Sequence, residues 1–562
     1  MTGRRETMRR ILCAAGLFGI AAALYLRTAA FGYIRLDDFG YTAGCPFVAG
    51  GLSWSAVREA FSRVTYGGIW MPLTYISYAA DLTLFGAGWS GHHIVNALLH
   101  AANAVLVFCF LLRFCGDGGR NGERGWSLPL CAFLAAAFWA VHPQRAEAVA
   151  WIASRKEELF AMFTLAGLMA WRSRRWFVGM TCCALACMSK PTAVCYPLLA
   201  ALVELYAWRG SGRLWGAAFR YAPLFLMAAV TGLAAIAAQT NPEGIGPVAV
   251  LHVPFLKRLL LALWALALGL AQTVFPYGIH FDYLMPCAFG AVRGADEGNV
   301  GAEGGRTSWK RVLAFAAAFY AIAYLPVSGI LGSFGETFRA DRFLYLPSVA
   351  VAYALCAALL RLGGTARSLF AAAVVAYAAA AWPVISSYRN DYTVFARTLE
   401  LQPAHWRALS HVGAEYCARL GRLDEGIDLM RESYRISPRE STAETLAYSL
   451  ACRGRLEDVP EIRCLVSRYV RLEGGDKRGM FAEALGIAEM LVGDWQGAET
   501  CLRASIAAPH RFYSDEEARL RLAETLRRRG DEDGATAIVR PLVVSANRDI
   551  RQRAIKMLQQ TR

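Results

Sequence analysis

The chain has 562 residues, of which 56% are hydrophobic and only 18% are charged, and its formal net charge is +15. This composition excludes disordered, collagen-like and small disulfide-rich proteins, because those classes are short or poor in large apolar side chains. So few charges in so long a chain predict uncharged segments that cross a membrane. The positive charge fits a nucleic-acid partner, an acidic membrane surface, or the biased loops of a polytopic membrane protein.

The position of the charges separates two parts of the chain. Residues 388–562 contain 28 basic and 26 acidic side chains, whereas residues 1–387 contain 31 and 18. Almost all of the excess therefore lies in the N-terminal part, which also contains the long apolar segments. We predict a membrane domain over residues 1–387 and a soluble domain over residues 388–562. The charge then orients membrane helices, and no nucleic-acid partner is predicted.

Eleven apolar segments are predicted to cross the membrane as helices. They lie at about 11–30, 93–114, 128–146, 158–171, 176–191, 192–208, 221–239, 257–276, 312–331, 343–361 and 369–387. The bias of Lys and Arg among the loops places the N-terminus in the cytoplasm. An odd number of spans then places the C-terminal domain on the other side. We therefore predict a multi-pass protein of a bacterial inner membrane with a periplasmic C-terminal domain.

The C-terminal domain contains a repeated helix-turn-helix pattern. Its turns are marked by Gly421, Gly454, Gly493 and Gly530, at spacings of 33, 39 and 37 residues. The pattern resembles the tetratricopeptide repeat, in which stacked helical hairpins form a curved surface. Such a surface usually binds a peptide or a partner protein, although a stalk or an oligomerisation module would show the same pattern.

Two adjacent acidic residues, Asp37 and Asp38, directly follow the first predicted span. At the outer membrane surface, one of them could act as a general base whose pKa depends on burial and on the other acid. A polar pair that ends or caps a helix would have the same sequence. The pair alone does not decide between these roles.

The second outer loop is predicted to hold the densest polar cluster on that side. Its candidate residues are His142, Arg145, Glu147, Arg155 and Lys156. Arg155 and Lys156 suit a phosphate ligand, since guanidinium and ammonium groups donate well to phosphate oxygens. A solvated interfacial turn anchored by Trp151 is the alternative.

Five further polar residues are candidates because ionisable groups near membrane depth are costly unless they serve a function. They are Lys190 at the outer end of the fifth span, Asp341 and Arg342 before the tenth, and His93 and Asn96 on the second. The histidines fit packing better than metal binding, since no known metal-ligand spacing is present. No metal site is predicted.

In chain order, these motifs resemble a known family. They are Leu36-Asp37-Asp38, Trp70-Met-Pro72, His93 to His100, His142 to Glu147, Trp151 to Glu157, Ser189-Lys190-Pro191, Leu325 to Ser328 and Ala340 to Ser348. Together with the repeats, they resemble the transmembrane-and-tetratricopeptide O-mannosyltransferase family and its bacterial relatives. These are glycosyltransferases of the GT-C class, which use sugars carried on polyprenyl phosphate. The resemblance extends over nearly the whole chain, but the repeats are few and irregular.

The resemblance implies a fold, an active site and a substrate class. The fold is an all-α membrane helix bundle with its active site at the outer face, followed by an α-solenoid. An acid of the first outer loop is the base, either Asp38, which we favour, or Asp37. Phosphate contact is expected from Arg155, Lys156, Lys190 or Arg342. The acceptor is a hydroxyl of a protein or a glycan, and no cofactor is expected beyond the lipid-linked donor.

Two other functions, a scaffold and a transporter, are also weighed against the sequence. The first is a non-catalytic membrane scaffold, in which the helices anchor the repeats as a docking surface. The second is a transporter, which would contain an inverted repeat or paired half-helices within residues 1–387. The outer motifs favour the transferase, because a simple anchor has no need of them.

Overall fold

The computed structural model describes residues 2–63, 68–116, 127–207, 214–240, 254–284, 309–330, 337–469, 479–508, 515–545 and 547–560. The described chain is almost entirely helical, which confirms the predicted all-α class. It forms two compact units, residues 1–394 and 395–562. We call them the first unit and the second unit.

The first unit contains the long apolar helices together with several short ones. In chain order they are α1 (Thr2–Tyr25), α2 (Asp38–Tyr41), α3 (Pro46–Ala49), α4 (Trp54–Ser62), α5 (Pro72–Phe85), α6 (Trp89–Gly116), α7 (Ser127–Val141), α8 (Ala146–Ala150), α9 (Arg155–Arg172), α10 (Trp176–Ser189), α11 (Tyr196–Ala207), α12 (Leu214–Thr240), α13 (Phe255–Val274), α14 (Trp309–Tyr324), α15 (Val349–Leu359) and α16 (Gly364–Ser387). Short 3₁₀ helices lie at Leu26–Ala30, Pro143–Arg145, Ile152–Ser154, Pro191–Cys195, Leu325–Val327 and Asp341–Leu344. Helix α17 (Asp391–Leu401) continues past the end of this unit.

Each predicted span corresponds to a helix, but the helices differ in length. Within the described residues, six are long and apolar enough to cross a membrane alone: α1, α6, α12, α13, α14 and α16. Helices α7, α10, α11 and α15 are apolar but shorter, and α9 begins with four ionisable residues. The protein is therefore a multi-pass membrane protein, whereas the number eleven stays a prediction.

A short two-stranded antiparallel sheet brings a distant segment beside the candidate residues Asp341 and Arg342. Strand β1 (Tyr283–Leu284) pairs with β2 (Thr337–Arg339), with Tyr283 opposite Arg339. The 3₁₀ helix Asp341–Leu344 follows directly. The pairing of these two strands thus fixes where the chain enters this turn.

The second unit consists of paired helices. These are α18 (Trp406–Ala418), α19 (Leu423–Ile436), α20 (Glu440–Arg453), α21 (Val459–Tyr469), α22 (Gly479–Val492), α23 (Trp495–Ala507), α24 (Glu516–Arg528), α25 (Glu532–Val539) and α26 (Arg548–Gln559), with 3₁₀ helices at Leu456–Asp458 and Arg540–Val544. The four glycines of the sequence pattern lie in the turns within these pairs, and each has a positive φ, between 64° and 86°. A left-handed residue at a helix end favours glycine because it has no Cβ.

Candidate active site

Asp38 lies at the start of α2 and is only 1% exposed. Its Oδ2 accepts a hydrogen bond from the backbone N–H of Ile34 at 2.8 Å, and its Oδ1 accepts one from Ala153, also at 2.8 Å. Burial raises the pKa of Asp38 to about 8, although the two backbone hydrogen bonds act in the opposite direction. Both carboxyl oxygens are therefore already engaged with backbone amides, and burial disfavours the ionised form.

Asp37 has a different environment, although it is the adjacent residue. Its side chain is half-buried, and its carboxylate makes no hydrogen bond or ion pair with any residue that the structure describes. Its negative charge acts on Lys156 and raises the pKa of that ammonium. Of the two acids, Asp37 is the one whose carboxylate remains available.

Among the described residues, Lys156 contacts an aromatic ring and no acidic side chain. It is 7% exposed, and its Nζ lies 4.6 Å from the centre of the Tyr41 ring. Its ammonium makes no hydrogen bond or ion pair within the described ranges, although it can donate three. Burial lowers the pKa of Lys156 to about 8, and the charge of Asp37 opposes that shift. This side chain can therefore accommodate an anion without breaking an existing bond.

Two ion pairs flank Lys156. Lys190 Nζ lies 2.5 Å from Glu157 Oε1. The backbone N–H of Arg342 donates to Glu147 Oε2 at 2.9 Å, and the Arg342 guanidinium pairs with the other carboxylate oxygen. The charges of Lys190 and Arg342 both lower the pKa of Lys156, so the three cations are close in space. We call Asp37, Glu147, Lys156, Glu157, Lys190 and Arg342 the charge cluster.

Arg155 is fully buried, and each of its three guanidinium nitrogens contacts a partner. Its Nε donates to Asn96 Oδ1 at 2.7 Å, and its Nη2 donates to the His92 carbonyl at 2.9 Å. The same Nη2 lies 2.5 Å from Asp81 Oδ2, and Nη1 donates to Ser77 at 3.3 Å. With every nitrogen paired, Arg155 supports the loop and is not available to bind a phosphate.

The remaining candidates hold segments of the first unit together. His93 Nε2 lies 2.9 Å from the Gly32 carbonyl oxygen, and His142 Nε2 lies 3.1 Å from that of Thr273. The Nη1 atom of Arg145 donates to the carbonyls of Leu344 and Tyr345, both at 3.1 Å, and to Ser348 Oγ at 2.8 Å. Asp341 pairs with Arg339 at 3.3 Å and accepts from the Tyr283 hydroxyl at 3.0 Å. These contacts place the loops that carry the charge cluster.

The structure therefore sorts the sequence candidates into two groups. One group, which belongs to the charge cluster, consists of Asp37, Glu147, Lys156, Lys190 and Arg342. The remaining candidates make the buried contacts described above, which hold the loops of the cluster in place. Sequence reasoning did not single out Glu157 and Asp81, although Glu157 lies within one of the quoted motifs. In the described part of the chain, no group of three or more His, Cys, Asp or Glu side chains could hold a metal ion.

Part of the chain is similar in sequence to known proteins. The chain is 34% identical over 109 residues to Protein O-mannosyl-transferase Tmtc3 of Drosophila melanogaster, which is 18% of this chain and 12% of that protein. It is 35% identical over 103 residues to human Protein O-mannosyl-transferase TMTC4, or 18% and 14% of the two chains. These matches confirm the resemblance to the transmembrane-and-tetratricopeptide O-mannosyltransferase family.

A third relative with the same kind of name also matches only a short part of the chain. Human Protein O-mannosyl-transferase TMTC2 is 31% identical over 124 residues, which is 20% of this chain and 14% of that protein. In these three cases the chain spans less than a sixth of the relative's length. No family model matches the chain.

Proposed function

We propose that this protein is an integral membrane glycosyltransferase that moves a sugar from a polyprenyl-phosphate donor to an acceptor hydroxyl outside the cytoplasm. The observation that carries the proposal is that Asp37, a carboxylate, and Lys156, an ammonium on which its charge acts, make no hydrogen bond or ion pair with any residue that the structure describes. The names of the relatives make mannose the first sugar to test.

The proposed reaction uses each group of the pair once. Asp37 takes the proton of the acceptor hydroxyl while the acceptor oxygen attacks the anomeric carbon. The bond between that carbon and the phosphate oxygen breaks, and the polyprenyl phosphate leaves with the electron pair. The leaving group gains negative charge, so it needs a nearby cation and no acid. Direct displacement would invert the anomeric configuration.

The cations around Lys156 support this assignment. Lys190 and Arg342 are held by Glu157 and Glu147, so they keep fixed positions beside the phosphate without rearranging. Preorganised charges of this kind stabilise a transition state because they need no reorganisation during the reaction. The buried contacts of Arg155 argue against this role for its guanidinium.

The test is an Asp37→Asn variant in membranes supplied with a polyprenyl-phosphate sugar. Removal of a general base is expected to lower kcat roughly 100- to 10,000-fold with little change in the thermal stability of the protein. Glu59→Gln is the matched control, because Glu59 is an acid of the same outer segment that pairs with Arg63. A fully active, folded Asp37→Asn variant would contradict the base assignment.

We further propose that the second unit binds the acceptor or a partner protein. Its paired helices bury their own apolar clusters, so that unit is folded around its own core. A photoreactive acceptor added to the full chain is expected to cross-link to residues 395–562. Cross-links confined to residues 1–394 would instead support a unit that only anchors or assembles the enzyme.

A further inference from the structure

We propose that Asp38 is a positioning residue that joins the first and second outer loops and thereby holds Asp37 in register with Lys156. This inference rests on the proposed function above and deepens its site. It assigns different roles to two adjacent acids that the sequence does not distinguish.

The two hydrogen bonds of Asp38 connect distant parts of the chain. One oxygen accepts from Ile34, four residues earlier in the same loop, and the other accepts from Ala153, 115 residues later. Ala153 lies in the 3₁₀ helix Ile152–Ser154, three residues before Lys156. Asp37 is the neighbour of Asp38. Each member of the proposed reacting pair is therefore within three residues of one end of this connection.

The burial of Asp38 makes the connection hard to replace. Ile34 and Ala153 are 1% and 0% exposed, so water does not readily take over their amide hydrogens. Asparagine has one amide oxygen in place of two carboxyl oxygens, and its NH₂ group would face the second backbone N–H. An Asp38→Asn variant therefore leaves one buried donor unsatisfied, which favours opening of the loop contact.

The decisive measurement is amide hydrogen exchange on the full-length protein in detergent. In Asp38→Asn, the amides of Ile34 and Ala153 are expected to exchange faster than in the wild type. Asp37→Asn is the matched control, because it also neutralises one acid but keeps both hydrogen bonds, so exchange at these amides should not change. Slow exchange of both amides in the wild type is a separate requirement that needs no variant.

Activity gives a second readout. Asp38→Asn is expected to lower kcat by roughly 10- to 100-fold, the scale of an ångström-sized misplacement. Asp37→Asn should lower kcat further, by roughly 100- to 10,000-fold.

Three results would overturn the proposal. The first is unchanged exchange at both amides in a folded Asp38→Asn variant. The second is rapid exchange at these amides in the wild type, which decides the matter even if the variant does not fold. The third is a folded Asp38→Asn variant that loses all turnover while Asp37→Asn remains active, since Asp38 would then be the base. If neither the wild type nor any variant transfers sugar, the proposed function is wrong. The exchange measurement still tests whether Asp38 joins the two loops, because it does not depend on activity.

Discussion

The guanidinium of Arg155 lies 2.5 Å from the carboxylate of Asp81, inside the first unit and away from water. Without Arg155, the buried Asp81 carboxylate keeps only the His92 Nδ1 contact at 2.7 Å among the described residues, and breaking a buried ion pair costs about 3–5 kcal/mol. We therefore expect Arg155→Met to lower the thermal unfolding temperature of the purified protein markedly. The exposed Lys257→Met serves as the control and should unfold like the wild type. A stable Arg155→Met protein with a raised donor KM would instead indicate that Arg155 contacts the phosphate.

Substitution of the neighbouring Lys156 should affect donor binding and not stability. Lys156→Met removes a charge that no described side chain neutralises by a direct bond, so stability should be retained. A hydrogen bond to a charged group contributes about 1.5–3 kcal/mol, so the donor KM should rise roughly 10- to 100-fold. Steady-state kinetics at several donor concentrations measures this change. An unchanged KM for a folded variant would contradict a phosphate role for Lys156.

The activity should also depend on pH through Lys156. Burial lowers the pKa of this side chain to about 8, so its ammonium is charged below that pH and neutral above it. We expect kcat/KM for the donor to fall as the pH rises through 8. Lys156→Arg should move this fall to higher pH, because an arginine stays charged. A profile that is the same for both proteins would assign the fall to another group.

Helices α9 and α10 depend on a small residue where they approach each other. A methyl group at Gly167 would lie 2.7 Å from Cys182 Cβ and would also overlap the Tyr196 hydroxyl, which donates to the Gly179 carbonyl at 2.9 Å. Gly167→Ala should therefore lower stability by about 1–3 kcal/mol. At Gly16 the nearest atom would be 3.8 Å away, so Gly16→Ala should be nearly neutral. Equal unfolding temperatures for the two variants would contradict this packing.

The sequence predicts the helices well because long apolar segments have few alternatives in a membrane. It predicts the site less completely. Arg155 and Lys156 are both basic and adjacent, yet successive residues of a helix point about 100° apart. One therefore meets Asp81, and the other lies over the ring of Tyr41. Asp81 itself lies on α5, a helix of 14 residues that falls outside every predicted span.

The preference for Asp38 over Asp37 illustrates the same limit. Both acids follow the first apolar segment, and the resemblance to the family does not separate them. Only the tertiary structure reveals that the amide of Ala153 donates to Asp38 and leaves Asp37 without such a partner. Roles of adjacent identical residues depend on contacts with distant segments, which periodicity along the chain does not encode.

The charged start of α9 has a consequence for the biogenesis of the protein. Arg155, Lys156, Glu157 and Glu158 are all buried, so this segment is a poor candidate for entering the bilayer alone. Asp81, the partner of Arg155, is synthesised earlier, whereas Arg342, which contacts Glu147, is made some 190 residues later. The ion pair with Asp81 can therefore form during synthesis, while the charge cluster is completed only after most of the membrane helices have left the ribosome.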